Sequence, residues 1–387
     1  MKRVSKLLLI CSLLLAILTS ALAQSEPLFT VQAKSAVLMD AETGQVLFEQ
    51  NADEKLLPAS LVKIMTLYLT FDAIEKGTVS LEDRFRVSIN AWQPEGSKMF
   101  IREGERVSVE DLIKGVAIVS GNDACIALAE GISGVTEVFV RSMNQKAQSL
   151  GLTNTYYTDV HGLDNTGAQF TTARDVAMLS RAYVNDHPEA LVYHSTREFT
   201  YAGITQRNRN GLLWNYPGAD GLKTGHLNAV GYNLVATAKE NDMRLIAVVL
   251  GADSESVREA EARKLLNYGF RNFETVKASE LVKPVNTTVY KGKVGKVNVV
   301  PAKDVSMVIP QGAADRVRVV RDLDSALVAP VKKGDPVGEY RFYWQDELIA
   351  SVEATVAEDV EKGGFFKVLW DSIRLFFANL FAKITNK

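Results

Sequence analysis

The 387-residue chain is 47% hydrophobic and 23% charged, as is ordinary for a globular protein, and its length predicts two or three domains. The formal charge of −2 shows no basic excess, which argues against a protein that binds nucleic acid. The four histidines and two cysteines show no metal-ligand spacing, so neither a metal site nor another cofactor is expected.

Residues 1–23 are typical of a secretory signal peptide. Three cations precede an apolar run over residues 7–18, and the segment ends in Ala-Leu-Ala. The run is short for an uncleaved membrane anchor, and it continues past Cys11, which disfavours a lipoprotein signal. Cleavage leaves Cys125 as a single cysteine, which excludes a disulfide framework and predicts a small buried side chain.

The chain after the signal peptide has the pattern of a mixed α/β domain. Strands at both ends with helices between them predict one sheet assembled from distant segments. Helical spacing, caps and glycine stops predict helices over residues 58–77, 108–119, 123–130, 136–150 and 254–270, with Asn122 and Thr172 as caps. Apolar runs predict strands over 36–40, 45–50, 198–202, 221–225, 232–238 and 244–250, whereas 85–104 has the composition of a loop.

The last third of the chain differs in composition. Short valine-rich runs separated by proline and glycine predict a small all-β domain over residues 276–360, which serves as a spacer or an interaction module. Residues 361–387 predict an aromatic-rich amphipathic helix after two glycines, with Lys367, Asp371 and Arg374 on its polar side. Such a helix lies in a membrane interface more readily than it crosses the membrane, and packing against its own protein is the alternative.

The pattern Ser-x-x-Lys occurs once, at Ser60 and Lys63. Residues three apart share a helix face, so the lysine amine lies beside the serine hydroxyl at the start of a predicted helix. This pairs a nucleophile with a base. The alternative is a helix cap with a solvated lysine, because the pattern occurs by chance roughly once or twice in such a chain.

Two further motifs favour the catalytic interpretation. Ser-x-Asn occurs three times, but only Ser120 and Asn122 lie in a joint between predicted helices; Ser88 is interpreted as a surface turn and Ser142 as a solvated helix position. Lys-Thr-Gly occurs once, at residues 223–225, where chance predicts roughly a tenth of a match. The order and wide spacing of the three motifs are far more specific than any one of them.

With these motifs the chain resembles the serine penicillin-recognising enzymes, and among them the low-molecular-mass penicillin-binding proteins of type 5/6, which are D-alanyl-D-alanine carboxypeptidases. Residues 209–214, 220–226 and 258–261 also carry the resemblance, which extends from the signal peptide to the C-terminal helix. It implies a three-layer α/β/α catalytic domain around an antiparallel sheet over residues 24–275, followed by the β-rich domain and the amphipathic helix.

The chemistry of acyl transfer assigns roles to the first two motifs. Ser60 supplies the oxygen of a covalent acyl-enzyme. A lysine with a pKa of about 10.4 is neutral only about once in 2,500 molecules at pH 7, so burial and a nearby cation such as Lys223 must lower the pKa of Lys63. Ser120 can relay the proton to the leaving amine, while Asn122 holds the substrate amide and the lysine in register.

The third motif is expected to bind substrate. Lys223 offers a fixed positive charge to a terminal carboxylate, Thr224 adds a hydroxyl donor, and Gly225 lets the peptide backbone come close. The resemblance implies an oxyanion hole made by the backbone amides of Ser60 and His226.

Arg258 has two interpretations. It is either a further partner of the substrate carboxylate or a surface arginine that pairs with Glu259 or Glu261 along a helix.

The predicted function is removal of the terminal D-alanine from peptidoglycan stem peptides ending in D-Ala-D-Ala, with acylation by β-lactams. The exported protein is expected in the periplasm, peripherally attached to the outer face of the cytoplasmic membrane through its C-terminal helix. The alternatives are a β-lactamase or a non-catalytic module that binds β-lactams or peptidoglycan. Residues 153–171 resemble the family's omega-like loop but lack the Glu and Asn pairing for fast deacylation, and Asp164 is expected to hold that loop in shape.

Overall fold

The computed structural model describes residues 29–163 and 167–385. The predicted signal peptide and Asp164 lie outside the described residues. The described helices are α1 Val62–Glu75, α2 Ile89–Trp92, α3 Val109–Ala117, α4 Asn122–Ser133, α5 Thr136–Ser149, α6 Ala173–Asp186, α7 Leu191–His194, α8 Leu212–Asn215, α9 Glu255–Asn272, α10 Ala278–Leu281 and α11 Phe365–Thr385. The described strands are β1 Ser35–Asp40, β2 Val46–Gln50, β3 Arg84–Arg86, β4 Arg106–Ser108, β5 Glu198–Tyr201, β6 Ile204–Arg207, β7 Ala219–Leu227, β8 Gly231–Glu240, β9 Met243–Ala252, β10 Phe273–Lys277, β11 Val285–Tyr290, β12 Lys296–Pro301, β13 Ser306–Pro310, β14 Arg318–Leu323, β15 Ala326–Val328, β16 Pro336–Trp344 and β17 Glu347–Val356.

A five-stranded antiparallel sheet with the order β2-β1-β9-β8-β7 forms the middle layer of the first domain. Ser35 lies opposite Leu250 and Asp40 opposite Leu245, so the first strands pair with the last ones, as the sequence pattern predicts. Strand β7, which carries Lys-Thr-Gly, lies at one edge. The predicted strand at 198–202 exists, but it pairs with β6 in a separate two-stranded ribbon.

Helices cover both faces of this sheet, which confirms the predicted three-layer α/β/α arrangement. On one face, α9 contributes Leu265 and Leu266 to a core shared with β8 and β9. On the other face, α1 lies in the centre of a larger core. The sequence predicts one apolar stripe on α1, but every residue from Val62 to Tyr68 is buried. Lys63 is therefore held inside the domain, because its helix is surrounded by other elements on all sides.

Two local predictions are wrong. The N-cap of α4 is Gly121, and Asn122 is the first residue of the helix. The Asn122 side chain bonds to Lys63 and to the Glu95 carbonyl. Ser88 is not a simple surface turn, because it caps the short helix α2 by accepting a hydrogen bond from the Ala91 N–H, and it donates one to Glu130 at 2.6 Å. The region predicted as a loop thus contains a capped helical turn.

The C-terminal region is all-β, as predicted. Six strands form a sheet with the order β14-β16-β17-β12-β11-β15, and β10 pairs with β13. The sheet has its own core, which includes Tyr340 and Phe342, each 0% exposed. Val308 of β13 instead joins the core under α9, so the two regions share one point of packing. The exact domain boundaries stay a prediction.

Helix α11 follows this region and contacts β11. Its residues from Phe365 to Phe377 leave large apolar side chains exposed, among them Phe366 at 83% and Trp370 at 62%. Among the described residues, no helix combines the length and apolar character needed to span a bilayer.

Candidate active site

Ser60 lies in a 3₁₀ turn, Ala59–Leu61, directly before α1. The turn starts with Ala59 in the left-handed region, at a φ of 51°. Strand β7 runs close beside it, because a Cβ at Gly225 would lie 3.2 Å from both the Ala59 Cβ and the Ser60 nitrogen. The glycine expected to admit the substrate backbone therefore also admits the turn that carries the nucleophile.

Lys63 is 0% exposed and makes three short contacts. Its Nζ lies 3.0 Å from Ser60 Oγ, 2.7 Å from Asn122 Oδ1 and 2.7 Å from the carbonyl oxygen of His161. Burial, with a further contribution from the Arg209 guanidinium, lowers the pKa of Lys63 from 10.5 to about 8. About one lysine in ten is then neutral at pH 7, instead of one in thousands.

Ser120 and Asn122 lie where α3 gives way to α4. Ser120 has a φ of 62°, outside the range that most residues adopt, and its Oγ accepts a hydrogen bond from Lys223 Nζ at 2.9 Å. The Asn122 amide donates to the Glu95 carbonyl at 2.6 Å while its oxygen faces Lys63. The three sequence motifs thus form one group, in which hydrogen bonds join the second motif to each of the other two.

Lys223 is 3% exposed and donates to Ser120 Oγ and, at 3.0 Å, to the Thr224 carbonyl. Burial, followed by repulsion from Lys63 and Arg209, lowers its pKa well below the ordinary value. The predicted role of Lys223 as a cation for the terminal carboxylate stays a prediction. Thr224 beside it faces the cavity described next.

The group opens into a cavity of about 190 Å³. It is lined by Ser60, Gly96, Ser97, Ser120, Asn122, Leu163, Arg209, Thr224, Gly225, His226, Glu255 and Arg258. A larger hollow of about 580 Å³ lies between the β1–β2 turn and the β-rich domain, and it carries none of the motif residues. The chemistry of the lining, rather than its volume, therefore identifies the candidate active site.

Arg258 lines this cavity and is 1% exposed, so its interpretation as a surface arginine is wrong. Its Nη2 donates to the Arg209 carbonyl at 3.2 Å and lies 3.4 Å from Glu255 Oε1. Its carboxylate partner is thus Glu255 rather than the predicted Glu259 or Glu261. Burial lowers the pKa of the Arg258 guanidinium below its ordinary value. A buried guanidinium with one exposed, distant carboxylate is well placed to bind another anion.

His226 is exposed at the end of β7, and its ring stacks on Tyr232 with centroids 4.1 Å apart. His226 also lines the cavity. Cys125 is 0% exposed, as predicted, and burial raises its pKa to about 12, so it remains a thiol.

Sequence reasoning missed several cavity residues, of which Arg209 is the most important. Arg209 lies in the segment 209–214, which carries the family resemblance, but no local pattern marks its side chain as part of a site. Its position follows from the neighbouring Asn210, whose amide donates a hydrogen bond to the Gly221 carbonyl at 2.7 Å. The His161 carbonyl was also missed. Its loop is pressed against the Ser60 turn, since a Cβ at Gly162 would lie 1.9 Å from the Ala59 oxygen.

One group of possible metal ligands exists among the described residues, at the far end of α1. Asp72, Glu75 and His187 have ligand atoms within 4.8 Å of one another. Asp72 already contacts His187 at 2.8 Å and Lys146 at 2.9 Å, and none of these residues lines the cavity. This group plays no part in the site.

Comparison with known proteins agrees with this geometry. Residues 20–254 match the family described as D-alanyl-D-alanine carboxypeptidase, and residues 270–362 match the C-terminal domain of penicillin-binding protein 5. The D-alanyl-D-alanine carboxypeptidase DacC of Escherichia coli (strain K12) is 45% identical over 364 residues, which cover 91% of this chain and 90% of that protein. The D-alanyl-D-alanine carboxypeptidase DacF of Bacillus subtilis (strain 168) is 36% identical over 388 residues, which cover 95% of this chain and 97% of that protein.

Solved structures give the same result. Penicillin-binding protein 5 from Haemophilus influenzae is 41% identical, with a TM-score of 0.76 over 86% of this chain and 99% of that chain. Penicillin-binding protein 6B from Escherichia coli is 39% identical, with a TM-score of 0.72 over 86% and 97%. The chain therefore belongs to the serine D-alanyl-D-alanine carboxypeptidase family, as a low-molecular-mass penicillin-binding protein of type 5/6.

Proposed function

We propose that the chain is a serine carboxypeptidase that removes the terminal D-alanine from peptidoglycan pentapeptide stems. The supporting observation is the contact set of Lys63. In the neutral amine, two N–H bonds satisfy Asn122 Oδ1 and the His161 carbonyl, both at 2.7 Å. The nitrogen lone pair is then left for the Ser60 hydroxyl, 3.0 Å away. A buried amine arranged in this way is a general base for a serine nucleophile.

In the first step, Ser60 Oγ attacks the carbonyl carbon of the penultimate D-alanine and its proton passes to Lys63. The backbone amides of Ser60 and His226 would stabilise the oxyanion. Collapse of the tetrahedral intermediate breaks the peptide bond. The leaving nitrogen takes the Ser120 hydroxyl proton, and the proton held by Lys63 replaces it, so Lys63 is neutral again. Lys223 Nζ, which donates a hydrogen bond to Ser120 Oγ, holds this hydroxyl in place. Asn122 keeps the lysine and the substrate amide aligned.

The terminal carboxylate of the substrate needs a cation on the cavity side. Arg209 and Arg258 line the cavity, and the Thr224 hydroxyl faces it. Lys223 lies behind this wall, where it acts on Ser120. We therefore assign carboxylate binding mainly to the two arginines and Thr224, with Lys223 as an electrostatic contributor.

Water then attacks the acyl-enzyme, with Lys63 again as base. A β-lactam follows the first step because its ring carbonyl takes the place of the scissile peptide. Slow hydrolysis of that adduct is expected, and rapid turnover of a chromogenic cephalosporin would instead indicate a β-lactamase.

The proposed location is the periplasmic face of the cytoplasmic membrane, after export by the signal peptide at residues 1–23. Helix α11 would attach the protein peripherally, because seven large apolar side chains between Phe365 and Phe377 are exposed on it. A chain that ends near residue 361 should then move from the membrane pellet to the soluble fraction, whereas continued pelleting would contradict the attachment.

Product analysis on a defined pentapeptide muropeptide tests the catalytic proposal. Mass spectrometry should show loss of one alanine with the wild-type protein and none with Ser60→Ala. Fluorescent penicillin should label the wild-type protein and not this variant. Equal loss of alanine from both proteins, or from neither, would rule out Ser60 as the nucleophile of a carboxypeptidase.

A further inference from the structure

Helix α11 is joined to the β-rich domain by one buried carboxylate. The Asp371 side chain is 0% exposed, although charged residues are rarely buried on a surface helix. Its Oδ2 accepts a hydrogen bond from the Lys291 backbone N–H at 2.7 Å and contacts Lys367 Nζ at 2.8 Å. These partners, the Lys367 ammonium first, hold the pKa of Asp371 below its ordinary value, so the carboxylate is charged at neutral pH.

The same turn of the β-rich domain is held from a second side. The Gly363 N–H donates to the Lys291 carbonyl at 2.8 Å, and the Lys293 N–H donates to the Glu361 carbonyl at 2.8 Å. Gly363, the first of the two glycines before the helix, is thus hydrogen-bonded to the β-rich domain. The Arg374 guanidinium lies 5.7 Å from the centre of the Tyr290 ring and adds a third contact.

Docking by the polar side determines which side of α11 faces outward. At about 100° per residue, the exposed apolar positions lie on the side of the helix opposite Asp371. These positions are Phe365, Phe366, Leu369, Trp370, Ile373, Phe376 and Phe377. The aromatic face is therefore fixed relative to the β-rich domain and not only relative to the helix axis.

We propose that Asp371 and the turn at residues 290–292 orient the protein on a lipid bilayer surface. Helix α11 is then a membrane anchor held rigidly against the β-rich domain, not a flexible tether. This inference rests on the membrane attachment proposed above. It adds a fixed angle between the β-rich domain and the membrane plane. The aromatic side chains of α11 insert together into the membrane interface. The β-rich domain is bonded to the opposite side of the helix, so its tilt relative to the membrane is fixed. Because Val308 of the β-rich domain packs in the core under α9, the Ser60 cavity is then also held at a defined height above the lipid.

The experiment uses the full chain bound to vesicles of phosphatidylethanolamine and phosphatidylglycerol. Fluorescent penicillin on Ser60 serves as the energy donor and a labelled lipid as the acceptor. The wild-type protein should give one narrow distribution of distances. Asp371→Ala should bind the same fraction of vesicles but give a broad distribution. Its Lys291 amide, measured without vesicles, should exchange hydrogen at least about tenfold faster, as expected when a hydrogen bond to a buried charge is lost.

Two matched variants complete the test. Lys367→Gln removes the ion pair but keeps the backbone hydrogen bond to Asp371, so its exchange should be intermediate. Asp346→Ala, at an exposed acid in the β16–β17 turn, should behave like wild type. Wild-type exchange and a narrow distance distribution in Asp371→Ala would overturn the proposal. If the wild-type protein does not bind vesicles, the membrane attachment fails, and fast exchange at Lys291 in Asp371→Ala then supports only the docking of α11.

Discussion

Lys63 is the residue at which protonation decides whether the chemistry can begin. Its pKa is lowered to about 8, and only the neutral amine can take the Ser60 proton. The fraction of neutral amine rises with pH until the solution passes this value. The second-order rate of acylation by benzylpenicillin should therefore increase about tenfold per pH unit below 8 and level off above it.

This profile can be measured by mass spectrometry of the acyl-enzyme at a series of pH values. Lys63→Arg is the matched variant, because a guanidinium keeps the positive charge but cannot act as a base; acylation should fall by about 10²–10⁴-fold at every pH. An inflection near 10.5 in the wild-type protein would show that the lysine is not perturbed and is not the base.

Asp123, directly after Asn122, shapes the cavity without lining it. Its buried carboxylate accepts hydrogen bonds from the N–H groups of Met99 at 3.0 Å and Phe100 at 2.9 Å. These bonds fix the loop that brings Gly96 and Ser97 to the cavity wall. An amide at this position directs its own hydrogens at N–H donors. Asp123→Asn should cost about 1–3 kcal/mol of unfolding free energy and slow acylation.

Urea unfolding and the rate of penicillin acylation measure these two effects for Asp123→Asn. Asp83→Asn is a suitable control, because the Asp83 side chain accepts an exposed hydrogen bond from the Ser80 N–H at 2.8 Å. It should leave the acylation rate unchanged. If Asp123→Asn is destabilised but acylates at the wild-type rate, the loop does not depend on this carboxylate for its catalytic position.

At the scale of elements, the loop 159–163 depends on a glycine to reach the Ser60 turn. Gly162 has a φ of 92°, and a Cβ there would lie 1.9 Å from the Ala59 carbonyl oxygen. Gly162→Ala should push the loop away and break the contact between the His161 carbonyl and Lys63. We expect a lower melting temperature and acylation slowed by at least about tenfold.

Gly167→Ala separates the backbone effect from the clash. Gly167 also has a positive φ, 72°, but no atom of the described residues lies within 4 Å of its Cβ position. It should lose about 1 kcal/mol of stability through backbone strain and keep its acylation rate. Equal loss of activity in the two variants would mean that flexibility of the loop, and not its contact with the turn, controls the reaction.

The elements themselves were largely predictable because their signals are local. The cap at Thr172 is confirmed, since its side chain accepts the Asp175 N–H, and the helix stop near Gly77 agrees with the end of α1 at Glu75. The sequence predicted that strands from both ends of the domain share one sheet, but not which strand pairs with which. The partners in β1 and β9 are separated by some two hundred residues. Asn122 was misread as a cap because its real partner, Lys63, is distant in sequence.

The site was predictable where a motif names its residues and unpredictable where loops supply them. Lys63 lies in hydrogen-bond contact with Ser60, and Ser60 and Ser120 line the same cavity. Arg209 and Leu163 reach the cavity from irregular segments, and no periodic pattern marks such positions. The burial of Lys223 could not be predicted either, because the sequence does not show which side chains of the edge strand β7 face the cavity.

For the whole molecule, the distribution of cores predicts two units of unfolding. Phe342 belongs to the core of the β-rich domain, whereas Phe139 belongs to the core around α1; both are 0–1% exposed. Across the junction, Val308 packs in the core under α9, and Ser306 Oγ donates a hydrogen bond to Glu42 at 2.6 Å. Because the active cavity is lined only by the first domain, the loss of the second core should leave catalysis intact.

Phe342→Ala and Phe139→Ala form a matched pair for this prediction. Each removes a buried phenylalanine at a cost of about 3–5 kcal/mol. Calorimetry of Phe342→Ala should show one of two transitions moved to lower temperature, while penicillin acylation at 25 °C continues at the wild-type rate. Phe139→Ala should move the other transition and reduce the fraction of protein that can be acylated. A single transition lowered by both substitutions would show that the junction through Val308 couples the two cores into one cooperative unit.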